Sequence, residues 1–120
     1  MDVRVGSAPD SWGVWFPENE KQTPWNRFLD EITEAGYEWT ELGPYGYLPT
    51  DLDTLRGELD SRGLQVSGTF VMANLENPDS WPGLEEQVLD TGELLAQLGA
   101  KFLVLIDNLY TDLFTGNLTE

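Results

Sequence analysis

The 120-residue, 13.5 kDa sequence carries 22 acids against 6 bases, a net charge of -16 and a pI near 4.1, and it contains neither Cys nor His. Its long-range field repels phosphate backbones and anionic lipid, which sets aside nucleic-acid and membrane partners. Without Cys or His there is no disulfide, no thiolate nucleophile and no Ser-His or Cys-His arrangement. Any metal site built from these residues would be all oxygen, which suits magnesium, manganese or calcium better than zinc.

With 40% hydrophobic residues the chain has the makings of an ordinary globular core, read here as a single domain over 1–120. A closed eight-stranded barrel needs about 250 residues, so only part of one would fit. No basic leader and no run of 18 apolar residues occurs, which makes a cytoplasmic protein the expectation.

Val3 to Ala8 is β-branched and alternating, predicting a first strand that stops at Pro9-Asp10-Ser11-Trp12-Gly13. Thr23-Pro24 predicts a helix start, with Thr23 as N-cap and Pro24 at the first helical position. Trp25, Phe28, Leu29, Ile32 and Ala35 follow at helical spacing, and Gly36 predicts the stop. A second strand begins at Tyr37 and ends at Leu42-Gly43. It delivers Glu41 into the loop Pro44-Tyr45-Gly46-Tyr47-Leu48-Pro49, before a helix capped by Thr50 or Asp51 and striped by Leu52, Leu55 and Leu59, with Gly63 after it.

The third strand is predicted over Leu64 to Val71, carrying Gly68, and a helix from about Trp81 to Leu98, capped by Asp79 or Ser80 and closed by Gly99. Lys101 to Ile106 is the most apolar run and predicts a parallel strand buried on both faces. The tail Leu109 to Glu120 carries no helical stripe and is read as a loop.

Strand starts at 3, 37, 64 and 101 keep the spacing of strand-helix units, which predicts an α/β fold with a parallel sheet. Both an open doubly wound sheet and a (β/α)8 barrel use this grammar. The Gly-x-Gly-x-x-Gly fingerprint of the former is absent after the first strand, where Gly6-Ser7-Ala8-Pro9-Asp10 stands.

The strand ends would gather Asp10, Ser11 and Trp12, then Glu41, Tyr45 and Tyr47, then Asn74 and Glu76, then Asp107 and Asn108. Most such acids are solvated loop residues in so acidic a chain. Glu41 differs. Alternation puts it on one face with Trp39 and Tyr37, and Leu42 with Thr40 on the other, so Leu42 can pack on helices while Glu41 points away from them. A carboxylate held there needs a metal, hydroxyl donors or an Arg. Trp12, Tyr45 and Tyr47 offer flat faces and polar hydrogens suited to a sugar or polyol ring, or else ordinary core packing.

Val5-Gly6-Ser7-Ala8-Pro9-Asp10-Ser11-Trp12-Gly13, Glu34-Ala35-Gly36-Tyr37 and Glu41-Leu42-Gly43-Pro44-Tyr45-Gly46-Tyr47-Leu48-Pro49 resemble the N-terminal part of the sugar phosphate isomerase/epimerase family. That family has the xylose isomerase-like TIM barrel and includes inosose dehydratases. Leu64-Gln65-Val66-Ser67-Gly68-Thr69 and Leu98-Gly99-Ala100-Lys101 agree with its later strand entries. The resemblance implies parallel β/α repeats forming about half a barrel, and a divalent-metal enzyme (Mn, Mg or Zn) that moves protons next to a carbonyl of a sugar or polyol.

Relatives hold the metal with carboxylates and a His on later strands, and this sequence has Leu75-Glu76 where they often show His. The metal ligands are therefore expected outside these residues. What the resemblance carries over is Glu41 as the catalytic candidate and Trp12, Tyr45 and Tyr47 as substrate contacts. The alternative is a non-catalytic half-barrel that binds or assembles, through self-association or a complementary half, because the end strands of a parallel sheet invite pairing.

Overall fold

The apolar stripe at Trp25, Phe28, Leu29 and Ile32 folds as helix α1 (Trp25–Glu34) in the computed structural model, which describes residues 3–107. Phe28, Leu29 and Ile32 are fully buried, each worth about 1.5–3 kcal/mol relative to an exposed side chain. The helix begins one residue later than predicted. Pro24 takes the N-cap position in an extended conformation (φ -60°, ψ 149°), with no side-chain cap. The Thr23 carbonyl accepts a hydrogen bond from the Tyr47 hydroxyl instead, at 2.5 Å.

Helix α2 (Leu52–Asp60) is capped by Asp51, whose carboxylate accepts from the Thr54 backbone N–H at 3.0 Å and from the Thr54 hydroxyl at 2.7 Å. Arg62, just past its end, ties α2 to α1 by pairing with Glu58 and with Asp30. Helix α3 (Trp81–Gln97) follows a short 3-10 turn over Pro78–Ser80. Ser80 precedes α3 without capping it, since its hydroxyl donates to the Asn74 and Asn77 carbonyls. Gly36 and Gly63 take positive φ after α1 and α2, as left-handed helix ends require.

The strands are parallel: β1 (Gly6–Ser7), β2 (Trp39–Thr40) and β3 (Gln65–Val66) pair in that order, and β4 (Gly68–Ala73) pairs with β5 (Phe102–Asp107) along six residues. The third predicted strand is therefore present but interrupted at Ser67. Leu64 and Val66 are buried two residues apart, as are Thr69 and Val71, whereas Val66 and Thr69 are three apart. Gly68 is buried as well, so the alternation slips by one residue between Gly68 and Thr69, as at a bulge.

A Cβ on Gly68 would lie 2.2 Å from the Phe102 carbonyl oxygen, so β5 occupies the space of a side chain. Hydrogen bonds from Leu42 N to Gly68 O and from Lys101 N to Ser67 O carry the sheet across the break. The first strand is shorter than predicted; Val3 and Val5 lie exposed before its paired part. Phe102, Val104 and Leu105 of β5 are also exposed, where burial on both faces was expected.

The helices share one core. Phe28, Leu29 and Ile32 of α1, Leu55 and Leu59 of α2, and Leu94 and Leu95 of α3 pack with Leu42, Leu64 and Val66 from the strand segments. Among the described residues no helix is long and apolar enough to cross a membrane. Asn108 and the tail Leu109 to Glu120 lie outside the described residues.

Candidate functional site

The face of the sheet turned away from this core is an open concavity of about 710 Å³, lined in part by Arg4, Ser7, Asp10, Trp39, Glu41 and Ser67. Alternation along β2 produces it. Thr40 and Leu42 are buried on the helix side, while Trp39 and Glu41 line the concavity, as their spacing requires. The Glu41 backbone is held firmly, because its own N–H donates to Ser7 O at 2.9 Å and the next residue's donates to Gly68 O at 3.1 Å. The Arg4 guanidinium lies 5.2 Å from the centre of the Trp39 ring, within cation–π range.

Glu41 is half-buried and has its pKa raised above the ordinary glutamate value, first by loss of solvent and then by the negative charge of Asp10. Asp10 sits in a 3-10 turn (Pro9–Trp12) fastened by Ser11 N to Ala8 O and by Gly13 N to Asp10 O. Its Oδ1 is shut off from solvent and has no hydrogen-bond donor. Gly43 locks the two loops together. It takes φ 74°, a Cβ there would meet Pro9 Cγ at 2.7 Å, and its carbonyl accepts the Thr69 hydroxyl at 2.6 Å.

The aromatic candidates lie elsewhere. Trp12 turns to α1, meeting Phe28 edge-on at 5.3 Å and donating its indole N–H to Glu31 Oε2 at 2.6 Å. Tyr47 is buried beside Phe28, and burial with the nearby Glu31 charge pushes its phenol up to about 12. Tyr45 is half-buried against the core and borders a small crevice between its own loop and α3, with Leu42, Thr69 and Thr91. The structure thus brings Glu41 together with Asp10, Ser7 and Arg4, and sets Trp12, Tyr45 and Tyr47 against the core side.

At the far strand ends, the Asp107 carboxylate accepts from Leu75 N and the Asn74 side chain accepts from Glu76 N, while Glu76 itself is exposed. Asp10 was legible as a strand-end acid. Its closeness to Glu41 depends on the pairing of β1 with β2 and has no local signal. Among the described residues no three Asp or Glu side chains converge as a cation would need, so these residues do not by themselves make a metal cage.

Over 108 residues, 89% of the chain, the sequence is 31% identical to an inosose dehydratase of Lacticaseibacillus casei, of which the match covers 35%. It is 32% identical over 108 residues to the rhizopine catabolism protein MocC of Rhizobium meliloti, covering 32% of that protein. A 70-residue match to the inosose dehydratase of Histophilus somni (strain 129Pt) is 31% identical and covers 23% of it. The chain spans about a third of the length of the first two relatives. No protein-family model matches it.

Proposed function

We propose that these residues form one wall of the active site of an inosose dehydratase-like enzyme of the sugar phosphate isomerase/epimerase type, with Glu41 as the proton-transferring group. The observation that carries the reading is the setting of Glu41: a half-buried carboxyl at the end of β2, facing an open concavity, with its proton affinity raised. The similarity to inosose dehydratases supplies the substrate class, a polyol ketone. That all three helices share one core fits a segment of a β/α barrel, since a doubly wound sheet carries helices on both faces.

Loss of water from a hydroxy ketone removes the hydrogen on the carbon beside the carbonyl and expels the hydroxyl on the next carbon. Ionised Glu41 takes that hydrogen as a proton, a carbon–carbon double bond forms, and the proton leaves with the hydroxyl as water. A raised pKa makes the glutamate a better base than an ordinary surface carboxylate. A divalent metal of the kind the family uses would polarise the carbonyl when bound, with ligands drawn from outside this donor set. Trp12, Tyr45 and Tyr47 enter this proposal as the backing of the wall.

The test is turnover of an inosose by protein expressed from the whole reading frame containing these residues, with and without Glu41→Gln. A fall of about 100-fold or more supports the proposal, and unchanged turnover overturns it. A second reading, a non-catalytic half-barrel that assembles with another copy or a complementary half, draws on the exposed Val3, Val5, Phe102, Val104 and Leu105. Light scattering tests it, and a monomer at high concentration with no partner excludes self-association.

A further inference from the structure

We infer that Asp10 is a second ligand-binding residue of this concavity, accepting a hydroxyl hydrogen from the same polyol whose reacting centre faces Glu41. This inference rests on the proposal above and adds to it a residue and a recognised group. Asp10 lines the concavity with Glu41, Ser7 and Ser11, and one of its two oxygens, Oδ1, is sealed from solvent without a donor. A carboxylate so placed has lost water on one side and gained no hydrogen bond in exchange, which is costly unless something else supplies donors.

The sealed Oδ1 is out of a ligand's reach, so a ligand hydroxyl in the concavity donates to the exposed side of this half-buried carboxylate, which is left to gather its donors there. The chemistry favours neutral polyols over anions, because two negative groups face the same space. Rigidity favours a specific fit: the Pro9–Trp12 turn is pinned by its own hydrogen bonds and by contact with Gly43, so Asp10 holds its place without a ligand.

The experiment follows the side-chain carboxyl resonances of Asp10 and Glu41 by NMR, in protein expressed from the whole reading frame containing these residues, as an inosose is added, and repeats this with cyclohexanone, which keeps the ring and ketone but lacks the hydroxyls. The expected result is that inosose moves the resonances of both Asp10 and Glu41, that cyclohexanone leaves Asp10 unmoved, and that Asp10→Asn weakens inosose binding about tenfold. Movement of Glu41 with Asp10 unmoved, or unchanged affinity in a folded Asp10→Asn variant, overturns the inference and leaves the role of Glu41 standing. If inosose moves neither resonance, both fall. The unmodified chain decides the matter even where Asp10→Asn does not fold.

Discussion

Glu31 and Glu41 lie ten residues apart, on α1 and at the end of β2, and their surroundings push them in opposite directions. Glu31 holds its charge: the Arg27 guanidinium first, then the Trp12 indole N–H, lower its pKa, with hydrogen bonds of 2.8 and 2.6 Å. Glu41 faces loss of solvent and the like charge of Asp10, and its pKa rises. On the helix side Glu31 and Tyr47 find their hydrogen-bond partners within the chain, while the buried Thr91 hydroxyl of α3 has none. The concave side carries a half-buried carboxyl of raised pKa and, in Asp10, a sealed carboxylate oxygen with no hydrogen-bond donor.

The comparison predicts that Glu41→Gln lowers turnover about 100- to 10,000-fold while leaving the melting temperature at neutral pH unchanged or higher, because it removes a charge the fold disfavours. A lower melting temperature in that variant would break the contrast. On the helix side the effect falls on stability: Phe28→Ala, at a fully buried position between Trp12 and Tyr47, costs about 4 kcal/mol in urea unfolding. Trp12→Phe keeps most of the packing and loses the indole hydrogen bond to Glu31, costing about 1 kcal/mol by the same measurement. A larger loss of inosose affinity than of stability would instead place Trp12 at the ligand.

The smallest effect is on pH dependence. The folded pKa of Glu31 is lowered, so its contribution to stability is present above its unfolded pKa, near 4.5, and fades as pH falls through the folded value. Glu41 has the opposite sign: its contribution is full below about 4.5 and is lost as pH rises through the raised folded value. Carboxyl NMR titration checks both, with Glu31 titrating below 4.5 and Glu41 above it. Asp10→Asn should bring the Glu41 midpoint down without returning it fully, since burial is the larger cause.

Much of this architecture is legible in the sequence because its signals are local. Gly36, Gly63 and Gly99 end helices where backbone reversal demands positive φ, Asp51 caps α2, and alternation along Trp39, Thr40, Glu41 and Leu42 fixes which side Glu41 faces. What escaped depends on residues far apart in the chain. The break at Ser67-Gly68 follows from how closely β5 passes, the later start of α1 accompanies Tyr47 reaching across 24 residues to the Thr23 carbonyl, and Trp12 turns to the core because Glu31 and Phe28 are there to receive it. An aromatic residue beside a strand end reads the same in sequence whether it lines a cavity or seals one.

The contact between Gly43 and Pro9 has a consequence for how this protein can vary over time. A side chain at position 43 would have to share space with the Pro9 ring, and the positive φ would oppose it as well. Replacement of Pro9 by a smaller residue would have to come before any replacement of Gly43, and that first step would loosen the turn bearing Asp10. The order in which these two positions can change is therefore constrained, and with it the spacing between the two carboxyl-bearing loops.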